Sequence, residues 1–557
     1  MKASGLSARD DDPGMALARA VVTSLVRAGV REVVVCAGAR NAALVAVLAR
    51  TAALRLWSFP EERSAGFFAL GRILALDAPV AVVTTSGTAV AELLPAAIEA
   101  FYQARPLVLV TADRPRAFRG SGAPQAIEQP GIFTAYAPTS ADVASLEELA
   151  AFDAALAPRP WHQPVHLNVC LGEPSATALA QAEPATAEPR PAPIRPRADA
   201  APLVSFLADT AAGPLVAGVA AVPAREQAAL TRFLRRLDCP VLAEATSGLR
   251  ETPELAGLRL PASEALLARL PVGRVLRIGG VPSSRWWRDL ENRPDVAVLS
   301  LTPSGFPGLA RPSRVADFPD WDTLAVPGKP TDHPAPAGAP APAEVAPPTA
   351  LRHHPRSEPA LVHALSTLIP RGAVVFLGNS LPIREWNAFA TTRPQAHRVF
   401  ATRGANGIDG CLSTFLGLAA DADESWAVVG DLTALYDLAA LWITPALPPA
   451  RRRIAVINNG GGRIFSRVAA LRGLPDDPRR LMENPHTLEF RAWAELFSWA
   501  HARVTTAEAL AAAARQPEPH LVIEIIPDAA ATEACWQHLS RDEDTPHLPF
   551  PPAGATS

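Results

Sequence analysis

"GDLTALYDLAALWITPALPPARRRIAVINNGGGRIF" runs from Gly430 to Phe465, directly behind the apolar run "SWAVVG". An acid, Asp431, stands at the mouth of one apolar strand. Asn458 and Asn459, followed by Gly460, Gly461 and Gly462, stand at the mouth of the next, "RRIAVINN". With one helix between them, the two strand ends can present their side chains to a single point. A carboxylate, a side-chain amide and a backbone carbonyl are hard oxygen ligands that suit magnesium, which commonly completes its octahedron with phosphate oxygens and water. Glycines let the backbone approach that phosphate closely. The same residues also suit a helix cap at Asp431 and a simple turn over "NNGGG", so the segment alone leaves both readings open.

Outside this stretch the chain keeps the same alternation of short β-branched runs with alanine- and leucine-rich helical stretches. Two proline-rich stretches, from about Glu183 and from about Val326, cannot build a packed core and divide the 557 residues into three blocks. The first block carries "REVVVCAG", "PVAVVTTSG", "RPLVLVTAD" and "PVHLNV"; the second "GPLVAGVA", "PVLAEA", "RVLRIGG" and "VAVLSL". The third carries "GAVVFLGNS", "HRVFATRG", "SWAVVGD", "RRIAVINN" and "HLVIEIIP". Runs this apolar predict strands buried on both faces, as in parallel sheets covered by helices. The fold class expected is therefore α/β, with three doubly wound parallel-sheet domains, and ligands are expected beyond the carboxyl ends of the strands. Neither a Gly-x-Gly-x-x-Gly behind the central strands nor a Gly-Lys-Ser/Thr loop occurs.

Composition narrows the classes. A formal net charge of -3 with 19% charged residues argues against a general nucleic-acid binder, and 49% hydrophobic residues is a globular balance. The five cysteines (Cys36, Cys170, Cys239, Cys411, Cys535) are scattered, without the spacing of a disulfide framework or a zinc site. The amino-terminal "MKASGLSARDDDPG" lacks a signal peptide's apolar core, and no run approaches bilayer length. A cytoplasmic enzyme without a membrane partner is expected. The doublet His353-His354, set among prolines, reads as a solvated loop.

The spacing of Gly430-Asp431 to Asn459, 28 positions from acid to amide, resembles the magnesium-diphosphate motif of thiamine-diphosphate enzymes. With it occur, in one order, "ERSAGFFALG", "VTTSGTAVAELLPAAIEA", "TADRP", "GSGAPQAIEQPGIF", "GNSLPIREWN" and "TRGANGIDG". Together these motifs resemble the 2-succinyl-5-enolpyruvyl-6-hydroxy-3-cyclohexene-1-carboxylate synthase family of menaquinone biosynthesis. The resemblance covers the first and third blocks nearly end to end and the middle one thinly. It implies a pyrimidine-binding domain over 1–185 with Glu62, a central α/β domain over 200–328, a Pro-rich linker over 329–356 and a diphosphate- and magnesium-binding domain over 357–557.

The resemblance also implies residue roles. Asp431, Asn459 and the Gly461 carbonyl would hold Mg2+, with Mn2+ as an alternative, and Gly430, Leu432 and Thr433 would line the thiamine diphosphate. Glu62 would exchange a proton with the pyrimidine ring, and Ile408 would wedge beneath the folded cofactor. The reaction implied is decarboxylation of 2-oxoglutarate and 1,4-addition of the resulting succinyl-semialdehyde carbanion to isochorismate. Both substrates are dicarboxylates, for which arginine's planar, permanently charged fork is the natural receptor. Motif by motif this points to Arg40, Arg114, Arg384 and Arg403, with Arg285 in the middle block. Asn379, Ser380 and Gln125 would be neutral contacts, Gln125 among the catalytic groups. Any single arginine could equally be surface charge. Ala39 stands where the family usually has serine, and Ser284 where lysine is common. A cofactor bridging Glu62 of one chain and Asp431 of another implies a homodimer, with a tetramer as the alternative. The rival readings are another thiamine-diphosphate 2-oxo acid decarboxylase or carboligase, and a noncatalytic protein retaining the fold.

Overall fold

The computed structural model describes residues 12–156, 162–188, 197–326, 348–468, 471 and 473–540. Among them run three sheets in which every strand pair is parallel. The first contains β1 (Glu32–Val35), β2 (Arg55–Ser58), β3 (Val80–Thr84), β4 (Leu107–Asp113), β5 (Thr139–Val143) and β6 (Val165–Cys170), in the order β2-β1-β3-β4-β6-β5. The second contains β7 (Leu215–Ala220), β8 (Val241–Ala243), β9 (Arg274–Gly279), β10 (Ala297–Leu301) and β11 (Arg314–Ala316), in the order β11-β10-β9-β7-β8. The third contains β12 (Val374–Leu377), β13 (Arg398–Phe400), β14 (Glu424–Gly430), β15 (Arg451–Ile457), β16 (Ala500–Val504) and β17 (His520–Ile525), in the order β13-β12-β14-β15-β17-β16. First and third sheets thus share one topology, strand for strand.

The central strands are largely apolar, and the polar residues they carry, such as His166, Asn168 and Arg277, are buried too. β1, β3, β4 and β6 are buried at every position, as are β9 and β12. Such strands need helices on both faces, and the alternating helices supply them. Most of the 329–356 linker expected from the prolines lies outside the described residues. Its end does not stay extended: Thr349–His353 forms a short helix behind Pro348, where "TALRH" is free of proline and can supply every backbone donor.

By contacts the chain forms two compact units. One, built from Met1–Arg195, Leu412–Ala420 and Ala439–Leu447, carries the first sheet; the other, from Pro196–Cys411, Asp421–Leu438 and Pro448–Ser557, carries the second and third. Within the first unit, helix Glu62–Leu76 is not amphipathic: Ser64 through Ile73 are all buried. It crosses the segment Leu412–Ala420 at two glycines. A Cβ on Gly71 would lie 2.0 Å from the Thr414 carbonyl oxygen, and one on Gly417 would lie 2.1 Å from that of Phe68. At the crossing, buried Arg72 donates through Nε and Nη2 to both Glu32 oxygens at 2.7 Å and through Nη1 to the Gly417 carbonyl at 3.0 Å. A charge buried this deeply persists only because its donors are matched.

In the second unit the middle and third sheets are joined by hydrogen bonds. Asn387 accepts from the Ala245 N–H at 2.7 Å and donates to Ser283 Oγ at 2.9 Å. Arg250 donates to the carbonyls of Thr391 and Ala390.

Candidate active site

β14 and β15 pair in register, Gly430 opposite Ile457, so their carboxyl ends emerge side by side. Asp431 opens the short helix Asp431–Tyr436 and reaches across to the next loop. Its Oδ2 accepts from the N–H groups of Gly460 (2.8 Å) and Gly461 (2.9 Å), and its Oδ1 from its neighbour Leu432. Burial raises the Asp431 pKa, while these backbone donors work to hold the charge. His486 Nε2 lies 3.3 Å from Oδ2. Glycine is required at 461: φ is +129°, and a Cβ would sit 2.5 Å from the Glu483 carbonyl oxygen.

The two asparagines serve different partners. Asn458 donates to Glu524 Oε1 on β17 at 2.7 Å and to the Leu488 carbonyl at 2.8 Å, while His501 Nε2 lies 2.8 Å from the second Glu524 oxygen. Asn459 donates to both oxygens of Glu358, at 3.1 and 2.9 Å, and its own Oδ1 is buried without a hydrogen-bond partner. A buried acceptor left unmatched is costly and calls for a ligand. Asp431, Asn459 Oδ1 and the Gly461 carbonyl, which accepts one bond from the Arg463 N–H at 2.8 Å, form a hard-oxygen set that fits a divalent cation. Gly430 caps the helix, and Leu432 and buried Thr433 occupy its first turn.

Glu358 and Glu385 are both buried, and both carboxyl pKa values are raised, primarily by burial. Glu358 rises to about 7, with Asp431 adding like charge. The Glu358 charge and a hydrogen bond to the Glu358 carboxyl reinforce burial, so Glu385 is held neutral.

Around β12 and β13 the structure brings several expected residues together. Asn379 donates to the carbonyls of Thr402 and Gly407, both at 2.7 Å, and accepts from Arg403 Nη1 at 3.1 Å. Ser380 has φ +71°, a strained conformation for a residue with a Cβ, and its carbonyl accepts from Arg384 Nη1 at 2.5 Å. Ile408 is half-buried in the same loop as Arg403. The Arg403 charge also works against the rise that burial imposes on Glu244, which accepts from the N–H groups of Ser283 and Ser284. Arg285 is exposed and 3.5 Å from Asp289, directly after Ser283 and Ser284. Ser284 Oγ, where the family more often has lysine, is buried without a partner.

In the first unit Glu61, not Glu62, caps the helix, accepting from the N–H groups of Arg63 and Ser64 at 2.9 Å. Glu62 keeps its side chain for other work. Its pKa is raised, first by burial and then by the charges of Glu61 and Glu92, against the pull of its own N–H. Arg40 is buried and donates to the Leu171 carbonyl and to exposed Glu173, each at 3.1 Å. Arg114 Nε donates to the Pro124 carbonyl at 2.9 Å, so Gln125 follows directly, exposed and with φ +57°.

Several residues that organise these loops gave no signal in sequence. Buried Gln129 accepts from the Gly87 N–H and donates to the Ala112 carbonyl and Asn168. Arg119 donates to Asp113 and Asp142; with Asn168 it holds Asp142 well below the usual carboxylate range against the effect of burial. Asp113 and Asp142 therefore form an ion-pair network with Arg119, which also donates to the Cys170 thiol. Glu358 was hidden because "SEPA" reads simply as a helix start: Ser357 caps it and Pro359 lies in its first turn.

Residues 15–132 match the family described as thiamine pyrophosphate enzyme, N-terminal TPP binding domain. A protein of Akkermansia muciniphila named 2-succinyl-5-enolpyruvyl-6-hydroxy-3-cyclohexene-1-carboxylate synthase is 43% identical over 91% of this chain and 95% of its own length. The chain belongs to this synthase family. A synthase of the same name from Bdellovibrio bacteriovorus is 39% identical over 94% of this chain and 98% of its own. The synthase fold also extends to distant relatives. A thiamine diphosphate-dependent 4-hydroxybenzoylformate decarboxylase of Rhodococcus jostii matches with TM-score 0.67 at 17% identity, over 92% of this chain and 99% of that one. Thiamine diphosphate is the cofactor that this family membership supports.

Proposed function

We propose that the protein decarboxylates 2-oxoglutarate and joins the four-carbon remainder to isochorismate, giving 2-succinyl-5-enolpyruvyl-6-hydroxy-3-cyclohexene-1-carboxylate and CO2 for menaquinone synthesis. The observation that carries the site is the Asn459 amide oxygen, buried and unmatched beside Asp431 at two adjoining strand ends. Asp431, Asn459 and the Gly461 carbonyl hold Mg2+, for which Mn2+ can substitute, and thereby the diphosphate of the cofactor, bordered by Gly430, Leu432 and Thr433. Thiamine diphosphate, when bound, supplies the nucleophilic carbon and the electron sink that decarboxylation needs. Glu62 holds a proton at its carboxyl for exchange with the cofactor's pyrimidine, a task suited to an acid whose pKa burial has raised. Ile408 supports the cofactor's bend.

Arg384, Arg403, Arg40 and Arg114 receive substrate carboxylates, with Asn379, Ser380 and Gln125 as neutral donors and Gln125 beside the reacting atoms. Glu173 is exposed, so a substrate carboxylate can take its place on Arg40. Arg285 acts at the outer edge of the isochorismate site. Each of the proposed domains 1–185, 200–328 and 357–557 would carry one parallel sheet. The active form is a homodimer, or a tetramer built from it, in the cytoplasm. Among the described residues no helix is long and apolar enough to cross a membrane.

The test is product analysis by mass spectrometry with 2-oxoglutarate and isochorismate, with and without thiamine diphosphate and Mg2+. The proposal expects the joined product only when all four are present. CO2 release that is indifferent to isochorismate would instead mark a simple 2-oxo acid decarboxylase.

A further inference from the structure

The geometry points to Glu358 as the positioning residue that turns the Asn459 amide oxygen toward the metal; this rests on the proposed magnesium site. An amide carries its oxygen and its NH2 on opposite sides of one carbon, so committing the NH2 to a partner decides where the oxygen faces. Asn459 Nδ2 donates to both Glu358 oxygens, at 3.1 and 2.9 Å. The bonds from Asn459 favour the ionised Glu358, and an ionised carboxylate only accepts, so against it the flipped amide would set oxygen against oxygen at those distances. With the NH2 engaged, Oδ1 faces away from Glu358, and it is there that the buried unmatched acceptor is found.

Glu358 is built to hold this orientation. It is buried at the first turn of helix Glu358–Leu368, its own N–H donates to Thr532 Oγ1 at 3.0 Å, and Ser357 caps the helix beneath it through the Ala360 N–H. Against burial, Glu358 has the bonds from Asn459 and Glu385 and the Arg467 charge but, among the described residues, no Lys or Arg ion pair, so its burial is poor stabilisation and is better explained by a task. Groups that orient a metal ligand through its second polar atom commonly matter about 10–100-fold to metal affinity.

The test measures thiamine diphosphate binding to the full chain by calorimetry while Mg2+ is varied, in wild type, Glu358→Gln, Asn459→Ala and the double variant. A glutamine at 358 can offer its own NH2 to Oδ1 and compete with the cation. We expect Glu358→Gln to raise the Mg2+ needed for half-maximal binding by about 10–100-fold and to add nothing in the Asn459→Ala background. Glu358→Asp, which keeps an acceptor-only head, is expected to fall between wild type and Glu358→Gln and serves if the latter does not fold. An unchanged Mg2+ requirement in Glu358→Gln or Glu358→Asp, beside an impaired Asn459→Ala, overturns the role of Glu358. An unchanged requirement in Asn459→Ala removes the magnesium site itself.

Discussion

The first and third sheets run in the same strand order, yet equivalent strand ends carry opposite chemistry. Behind β14 and β15 stand Asp431 and Asn459, oxygen donors for a cation; behind β3 and β4 stand the buried hydroxyls of Thr85 and Ser86 and the guanidinium of Arg114. Behind β2 comes the acid Glu62, and behind the equivalent β13 comes the base Arg403. Topology places loops at one edge, and the residues on those loops decide what each edge can do. The same holds one layer down. The polar group steadying the first sheet is Asn168 on β6, whereas in the third it is Glu524 on the equivalent β17. On the proposed reading, one sheet moves a proton and the other fixes an anion through a metal.

That division can be broken by experiment. Glu62→Gln should abolish turnover, a loss of at least about 10²–10⁴-fold, while leaving thiamine diphosphate binding near wild type. Product formation at the wild-type rate would remove proton transfer from the first sheet. Gly71→Val should cost several kcal/mol of stability, on the order of a severe overpacking change, because its Cβ meets a backbone carbonyl that cannot step aside. Thermal unfolding at the wild-type midpoint would show that the crossing can open.

Arg384→Ala should weaken use of the acidic substrates by about 1.5–3 kcal/mol, the range of a hydrogen bond to a charged group, with Mg2+ dependence unaltered. Unchanged KM values for both substrates would retire that assignment and leave the third sheet a purely cofactor-holding element.

The smallest effect sharpens the comparison through pH. Glu385 has a folded pKa raised above its unfolded value, so its contribution is fully present below about pH 4 and is lost as pH rises through the folded pKa. Glu385→Gln imitates the neutral acid at every pH. The variant should match wild type near pH 4 and melt higher above pH 7. A variant that melts lower at pH 8 would mean that Glu385 is ionised and matched by a partner.

Much of the fold was legible because strands buried on both faces carry long apolar runs. β3, β4, β14 and β15 announce themselves for that reason. The strands not foreseen, β2, β5, β11 and β16, all lie at sheet edges, where one side meets no strand and residues such as those of "TSADV" and "AHARV" suffice. Among site residues, Asp431 and Asn459 were singled out by the order of motifs along the chain, since their own segment suits a helix cap and a turn equally well. Arg285, in the block the resemblance covers thinly, is exposed, whereas Arg384 is bonded into its own loop.

By itself the sequence determined the α/β class, the three blocks, the cofactor family and the pair of strand ends that answer its opening motif. Each of these depends on local pattern, periodicity and motif order. Only the tertiary structure decided that Asn458 answers to Glu524 while Asn459 answers to Glu358. It alone decided that Glu61 spares Glu62 from capping, and that Gly71 and Gly417 let two helix backbones touch. Those are matters of distance between residues far apart in the chain, and a hydrogen bond or a steric contact is fixed by position in space rather than by spacing along the sequence.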